Sequence, residues 1–279
     1  MLSFFEDTKK APKGAFFVVV ICVLLSISSA EASNCVLPGG EWADVDYVYD
    51  GDTLRLSDGR KIRLLGVNTP ELSRPQGEGG RPSQALANKA RVAAVQFFAK
   101  SARVRLVYDV ERHDRYKRTL AHVFNSQGNS LEAYLLERGL AFHIVMPPNL
   151  ALAKCFAVIA ERARSKSLGV WSHRDWRPLQ VQNLDTKETG FRRVRGRIEA
   201  IAQQGTWWLE LDGPLVLKVT AADRAYFPGY DWAGLLRKRV EVSGWLTYRS
   251  RGATREQKKP AFKPFIMRLR TPYALRLLD

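Results

Sequence analysis

Short strands joined by tight turns are the feature that most restricts what this chain can fold into. Between residues 44 and 67, apolar and polar residues alternate on both sides of Ser57-Asp58-Gly59-Arg60. Asp-Gly between two alternating runs is a strong signal for a β-hairpin. Alternation returns at 103–110 and at 119–124, which predicts two more strands.

Three helices are predicted between and after these strands. Ser83 is a favourable N-cap, and apolar residues at helical spacing follow it as far as Phe97. Further helices are predicted over Leu131–Arg138, ended by Gly139, and from Asn149 to about Ser167. The Gly- and Pro-rich residues 72–82 predict a loop. About five strands with three helices in roughly 130 residues favour a small Greek-key barrel of the oligonucleotide-binding (OB) kind.

A second β-rich region follows. Residues 177–190 are polar and predict a linker, and residues 191–279 contain three strands, a segment of helix and loop character, and two strands. The predicted strands are Val194–Ile201, Trp207–Leu211, Leu215–Val219, Val240–Tyr248 and Phe265–Arg270. This order is that of another OB barrel. The predicted fold class is therefore β-rich α+β, a five-stranded OB-fold barrel with three helices followed by a second OB-like β domain.

The N-terminus has the features of a targeting segment. Three lysines within residues 9–13 precede an apolar run, 15–27, and Ala30-Glu31-Ala32 supplies a small-residue cleavage site. The run is too short to span a bilayer comfortably. We predict a signal peptide at 1–32, a first domain at 33–176, and a periplasmic or secreted protein with no stable membrane insertion after cleavage. An uncleaved membrane anchor is the alternative.

Two of the three cysteines, Cys35 and Cys155, lie outside the predicted signal peptide. One disulfide between the mature N-terminus and a helix is compatible with an oxidising compartment. Two free cysteines are also compatible, because spacing does not show proximity. The sequence has no Cys-x-x-Cys and no Cys/His cluster, so a zinc site has no support.

The charge of the chain favours a polyanionic partner. The 44 Lys and Arg outnumber the 28 Asp and Glu, which gives a net charge of +16. Residues 187–279 hold 19 Lys and Arg against 9 Asp and Glu, a net charge of +10, interleaved with aromatic residues. This region could bind nucleic acid by base stacking, bind cell-wall or membrane polyanions, or pack on the first domain with its tryptophans in the core.

Three clusters are more polar than a barrel core requires: Asp50-Gly51-Asp52-Thr53, Arg63 to Glu71, and Asp114-Arg115-Tyr116-Lys117-Arg118. Two carboxylates at this spacing suit a hard cation such as Ca²⁺, or form a solvated turn. The planar guanidinium of Arg63, in the second cluster, is suited to bidentate contact with phosphate. The third cluster also fits a solvated basic loop. Together the clusters offer the groups that phosphodiester hydrolysis uses, namely a metal, a carboxylate and two cations.

The segment from Val45 to Ser172 resembles the thermonuclease family, whose members are staphylococcal-nuclease-like. Five motifs in the order and spacing of the family carry the resemblance: Asp-Gly-Asp-Thr, Arg-Leu-Leu-Gly-Val-Asn-Thr-Pro-Glu, Asp-Arg-Tyr-Lys-Arg-Thr-Leu-Ala, Leu-Leu-Glu-Arg-Gly-Leu-Ala and Leu-Gly-Val-Trp-Ser. The resemblance implies an OB-fold barrel with three helices and cleavage of DNA and RNA with little sequence preference.

The resemblance also implies a calcium site. Asp52 matches the principal calcium-binding aspartate, and Thr69 matches the residue whose backbone carbonyl ligates the ion. Asn68 stands where a second aspartate is found in the best-known member. Its amide oxygen can still ligate Ca²⁺, so we predict weaker calcium binding with activity retained.

The remaining roles implied by the resemblance concern the phosphate and the nucleotide. Glu71 matches the general base or water-positioning residue, and Arg63 and Arg118 match the arginines that stabilise the transition state. Arg115 and Tyr116 match positions that contact the terminal phosphate of the nucleotide.

The chain also departs from the best-known member at Ile144 and Met146. They stand where that member has a pair of tyrosines, one of which helps to pack the nucleotide base, so we do not predict base stacking at these positions.

The predicted function is a calcium-dependent endonuclease acting on DNA and RNA as a monomer. The alternative is a catalytically weakened nucleic-acid-binding module.

Overall fold

The computed structural model describes residues 35–73, 82–249 and 263–278. The predicted signal peptide and most of the loop 72–82 lie outside the described residues. A disulfide joins Cys35 to Cys155, with their Cα atoms 5.7 Å apart. Within the described ranges, no helix combines the length and apolar character needed to cross a membrane.

The first barrel closes through five strands and carries two further short ones. The strands are β1 (Glu41–Val48), β2 (Thr53–Leu56), β3 (Lys61–Leu64), β4 (Val67–Asn68), β5 (Arg103–Val107), β6 (Thr119–Asn125) and β7 (Phe142–His143). The barrel order is β1-β2-β3-β6-β5, with β3 and β6 parallel and β4 paired with β7 outside the barrel. Ile62 and Leu64 point into the core and are almost fully buried, so Arg63 points to the opposite face.

Three helices accompany this barrel, as predicted: α1 (Ala87–Phe97), α2 (Leu131–Glu137) and α3 (Ala153–Ser165). The predicted N-cap Ser83 is wrong. Helix α1 begins after Leu86, which has a φ of 70°, and the Ser83 hydroxyl instead accepts a hydrogen bond from Ser73 N. Helix α2 is capped by Ser130, whose hydroxyl accepts from Ala133 N.

The second region forms another closed barrel. Its elements are β8 (Leu179–Gln180), β9 (Gly190–Ala202), β10 (Trp207–Leu211), β11 (Leu215–Val219), α4 (Ala221–Arg224), β12 (Arg239–Tyr248), β13 (Phe265–Arg268) and β14 (Leu275–Leu277). Strands β9 and β12 pair along their length and close the ring β9-β10-β11-β13-β12, in which β11 and β13 are parallel. In both barrels the third and fifth strands are parallel and the first pairs with the fourth, so the two share the OB topology.

The aromatic residues of the second region divide between core and surface. Trp232 is buried in the second core and Trp207 packs against it. Trp245 and Tyr248 are exposed on the second barrel. The expectation that the tryptophans are core residues is therefore correct for some of them and wrong for Trp245.

An apolar cluster lies where the two barrels meet. Phe142, Val170 and Trp176 follow the strands of the first barrel and pack with Phe191 of β9. Within the predicted linker 177–190, strand β8 pairs with β9 and Val181 is fully buried in the second core. The chain between the barrels is thus part of the packed structure.

A buried ion cluster also joins the barrels. Glu241 of β12 is nearly inaccessible and contacts three guanidinium groups. Arg193 and Arg195 reach it from the second barrel, at 2.6 and 2.8 Å, and Arg164 of α3 reaches it from the first, at 2.9 Å. Burial disfavours the Glu241 carboxylate, but these arginines outweigh that effect and hold its pKa below the ordinary value.

Candidate functional site

A turn with two buried carboxylates connects β1 to β2. The Asp52 N–H donates to Asp50 Oδ1 at 3.1 Å, and Asp52 Oδ2 accepts a hydrogen bond from Thr69 N at 2.7 Å. Gly51 allows this close packing, because a Cβ there would lie 2.6 Å from Thr69 Cγ2. The turn is therefore held against Thr69, and Asp50 and Asp52 are directed into the same small volume.

Asp50 shows how strongly negative charge is concentrated here. Burial and, after it, the neighbouring charges of Asp52 and Glu71 raise the pKa of its carboxyl group to about 7, although the charge of Arg63 opposes them. The carboxyl groups of Asp52 and Glu71 therefore lie close enough to Asp50 for their charges to act on it, and these three groups are called the acidic pocket below. Asp50 belongs to the predicted Asp-Gly-Asp-Thr cluster, but it was not among the residues to which a role at the metal was assigned from the sequence.

Arg63 lies within this acidic pocket and is 11% exposed. Its Nη1 donates to the carbonyls of Leu64 and Val67, at 2.8 and 2.9 Å. Its Nη2 lies 3.2 Å from Asp52 Oδ2 and 3.3 Å from Asn68 Oδ1. The first two contacts hold the guanidinium in place, and the two longer ones connect it to two of the predicted metal ligands.

Glu71 lies in the extended segment that follows β4 and Pro70. Gln84 clamps its backbone, because the Glu71 N–H donates to Gln84 Oε1 at 2.8 Å and the Gln84 N–H donates to Glu71 O at 2.9 Å. The residue is exposed, while its charge still reaches Asp50. The structure thus brings Glu71 to the edge of the acidic pocket.

Arg118 lies immediately before β6, which runs parallel to β3. Arg63 is paired with Leu120, so Arg63 and Arg118 point to the same outer face of the barrel. Asp114 organises the loop by accepting hydrogen bonds from Tyr116 N, Arg118 N and Arg118 Nε at 2.9, 3.0 and 2.8 Å. This positioning role of Asp114 was not predicted from the sequence.

The electrostatics of the loop agree with this arrangement. Burial alone would raise the pKa of Asp114, but hydrogen bonds from Arg118 outweigh burial and lower it. Arg115 Nη2 donates to the Tyr116 hydroxyl at 2.7 Å, and the Tyr116 ring is 64% exposed. The Arg118 guanidinium lies 5.6 Å from the centre of that ring. The predicted nucleotide contacts therefore lie beside Arg118 and face solvent.

The donor set fits a hard cation, because all the candidate ligands are oxygen atoms. Asp52, Asn68 and Thr69 meet through their direct contacts with one another or with Arg63, and Asp50 and Glu71 supply further negative charge. In the described part of the chain, no three His, Cys, Asp or Glu side chains form a ready metal-ligand group. Amide, carbonyl and water oxygens would therefore have to complete the coordination, which is ordinary for Ca²⁺.

Comparisons with known proteins match this part of the chain. The family model for staphylococcal nuclease homologues matches residues 61–173. The chain is 36% identical over 135 residues to the thermonuclease of Staphylococcus intermedius, and the matched segment covers 47% of this chain and 77% of that protein. It is 29% identical over 174 residues to the thermonuclease of Staphylococcus hyicus, with coverage of 59% and 99%. It is 33% identical over 133 residues to the endonuclease YncB of Bacillus subtilis (strain 168), with coverage of 46% and 60%.

The family model begins at β3, where Arg63 lies, and includes the loop that carries Arg118. It ends before the second barrel. The predicted resemblance is confirmed together with the fold, and the chain belongs to the thermonuclease family of staphylococcal-nuclease-like proteins.

Proposed function

We propose that this protein is a calcium-dependent endonuclease that hydrolyses phosphodiester bonds of DNA and RNA. One observation carries the proposal: a pocket of buried carboxylates contacts Arg63, and Arg118 lies on the same outer face of the barrel. The names of the thermonuclease and endonuclease relatives support the same activity. The net charge of +16 favours a polyanionic substrate.

Asp52, Asn68 and Thr69 are the residues that would hold the calcium ion. When bound, the ion would supply a Lewis acid and a positive charge next to the scissile phosphate. Asn68 contributes an uncharged oxygen, whereas Glu71 adds negative charge around the pocket and Asp50 adds more once it is ionised. This balance supports binding of a divalent cation that is weaker than in a site with a second ligating carboxylate.

Arg63 and Arg118 are the residues proposed to bind the phosphate. Charge-assisted hydrogen bonds usually measure about 2.7–2.9 Å, so the Nη2 contacts of Arg63 at 3.2 and 3.3 Å are weak ones that a phosphate oxygen can replace. Asp114 holds Arg118 through Nε, which leaves the Nη nitrogens for the substrate. Both guanidiniums would stabilise the additional negative charge of the pentacoordinate phosphorus.

Glu71 is proposed to orient a water molecule and take its proton. Gln84 fixes the backbone of Glu71, and the exposed position of the residue gives water access to it. General bases of this kind contribute about 10²–10⁴-fold to the rate. Arg115 and Tyr116, on the exposed loop beside Arg118, are proposed to contact the nucleotide.

The disulfide supports a periplasmic or secreted location. Cys35 and Cys155 are joined, and structural disulfides persist in oxidising compartments. The predicted signal peptide lies outside the described residues, so its cleavage is a proposal that N-terminal sequencing of the exported protein tests. A mature chain that begins near residue 33 is the expected result, and an intact N-terminus would contradict it.

Digestion of plasmid DNA and of RNA in Ca²⁺, Mg²⁺ or chelator tests the activity. We expect cleavage in Ca²⁺ and none in chelator. Glu71→Gln should lower kcat by about 10²–10⁴-fold and Arg118→Ala by about 10²–10³-fold. Glu137→Gln and Arg174→Ala are matched controls at exposed positions and should retain full activity.

Two results would contradict the proposal. Nucleic-acid binding without cleavage in any divalent cation would favour the alternative of a catalytically weakened binding module. Cleavage that survives both Glu71→Gln and Arg118→Ala would show that the reaction takes place elsewhere.

A further inference from the structure

A cleft lies between the end of β7 in the first barrel and the strands β12 and β13 of the second. It has a cavity volume of about 40 Å³ and is partly open to solvent. Residues 143–146 line one side, and Trp245, Arg268, Arg270 and Tyr273 line the other. The lining, as far as the chain is described, contains no acidic side chain. The cleft therefore combines two guanidiniums with the exposed rings of Trp245 and Tyr273.

Arg270 is half-buried in this cleft, and no carboxylate of the described residues is in contact with it. Among the described residues, none accepts a hydrogen bond from its guanidinium or forms an ion pair with it. Arg268, by contrast, donates to both carboxylate oxygens of Asp223, at 2.7 and 2.9 Å. Burial and the charge of Arg268 lower the pKa of Arg270, whereas Asp223 and Glu111 act in the opposite direction. An anionic ligand would relieve this desolvated charge.

Two aromatic rings are presented beside Arg270. Trp245 and Tyr273 are each 44% exposed. The Trp245 ring packs edge-on against Phe191 and the Tyr273 ring packs against His143, with 5.4 Å between ring centres in both cases. Each ring is thus held by a neighbour while much of its surface faces solvent. Exposed rings next to a cation are the arrangement with which proteins stack single-stranded bases and bind the phosphates between them.

The cleft adjoins the candidate active site through two connections. Strand β7 pairs with β4, where Asn68 lies opposite Phe142, and the Ile144 N–H donates to Gly66 O at 3.0 Å. Glu111, whose charge acts on Arg270, belongs to the loop that continues to Arg118. The cleft and the candidate metal ligand Asn68 are therefore built on the same pair of strands, β4 and β7.

We propose that this cleft is a second nucleic-acid subsite, in which Arg270 binds a phosphate and Trp245 and Tyr273 stack bases of a single strand. The inference rests on the function proposed above, since it takes the bound strand to be the one cleaved at the first barrel. A single strand fits better than a duplex because stacking on protein rings requires bases that are not already stacked in a helix. The net charge of +10 on residues 187–279 favours the same ligand.

Binding of a labelled single-stranded oligonucleotide of about 20 nucleotides to the full chain in chelator tests the cleft without cleavage. Trp245→Ala should raise the Kd by about 5- to 100-fold, the range for one lost stacking contact, and Trp245→Phe by no more than about twofold. Arg270→Met should raise the Kd and lower the slope of log Kd against log salt by about 0.7, the value for one phosphate contact. Arg197→Met and Trp42→Ala, at exposed positions outside the cleft, should change neither quantity.

Cleavage kinetics in Ca²⁺ separate this inference from the proposed function. Arg270→Met should raise KM for the long strand and leave kcat/KM for a dinucleotide unchanged, because a dinucleotide bound at the acidic pocket has no further phosphate to place beside Arg270. Circular dichroism and the urea midpoint verify folding, and Arg270→Met still decides the question if Trp245→Ala does not fold.

Two results would overturn the inference. One is an unchanged Kd and salt slope in the cleft variants. The other is tighter binding of polyglutamate or an acidic polysaccharide than of the oligonucleotide. If the wild type binds through the cleft but shows no cleavage in any divalent cation, the proposed function would fail and the subsite would stand.

Discussion

Acidification from pH 7.5 to 5 is expected to lower the free energy of unfolding by about 2 kcal/mol through His143 alone. Burial lowers the pKa of this histidine from the ordinary 6.5 to about 4. The ring packs against Tyr273, and its Nε2 is buried without a hydrogen-bond partner in the described part of the chain. Arg268 and Arg270 line the same cleft, so a proton on His143 would add a third positive charge there.

The sign follows from which state takes up the proton. The unfolded chain binds a proton on this histidine as the pH falls through 6.5, whereas the folded chain stays neutral until about pH 4. Protonation therefore stabilises the unfolded state over this interval, and stability falls with the pH. The stability that neutral His143 contributes is fully present above pH 6.5 and is lost progressively as the pH falls to about 4.

Urea denaturation at a series of pH values, with the disulfide intact, measures this contribution. His143→Phe and His143→Gln differ in packing, but both remove the titrating group. Between pH 7.5 and 5, the free energy of unfolding of each variant should therefore fall by about 2 kcal/mol less than that of the wild type. An NMR titration of the His143 ring gives an independent value. Equal losses in the wild type and both variants, or a ring that titrates near 6.5, would refute the reasoning.

Three further changes test other parts of the structure. Glu241→Gln leaves three guanidiniums around a buried neutral group, and urea denaturation should show a free energy of unfolding lower by about 3–5 kcal/mol. The control Asp175→Asn, in an exposed ion pair, should change this free energy by less than about 1 kcal/mol. Replacing Cys35 and Cys155 by alanine opens a loop with a sequence separation of 120 and should lower the urea-derived stability by about 3–5 kcal/mol; a loss below about 1 kcal/mol would contradict this. Asn68→Asp should lower the Ca²⁺ concentration for half-maximal cleavage several-fold, and an unchanged concentration counts against the metal site.

Local signals in the sequence were sufficient to predict most of the elements of both barrels. Asp58-Gly59 marks the turn between β2 and β3, and Gly139 ends α2 with a φ of 64°. These signals act over a few residues, so they can be read without knowledge of the tertiary structure. The start of α1 was predicted incorrectly because tertiary packing places Leu86 in a left-handed conformation and uses the Ser83 hydroxyl in the preceding loop.

The candidate site was predictable where its residues are neighbours in sequence. Asp52, Arg63 and Glu71 lie within one short segment; Arg63 contacts Asp52, and the charge of Glu71 acts on Asp50, so motif spacing was informative. The cleft had no such signal, because His143 and Tyr273 come from different barrels and meet only through the packing of the two. No periodicity or spacing in the chain encodes that contact.

The junction between the barrels explains how residues of the second could contribute to a site on the first. A second module on a flexible tether would only raise the local concentration of the substrate. Here Arg164 contacts Glu241 across the junction at 2.9 Å, and Phe142 packs against Phe191. Phe142 is also paired with Asn68 through β7 and β4. The same contacts that join the barrels therefore set the position of Trp245 and Arg270 relative to the acidic pocket, which is what a strand held at both places requires.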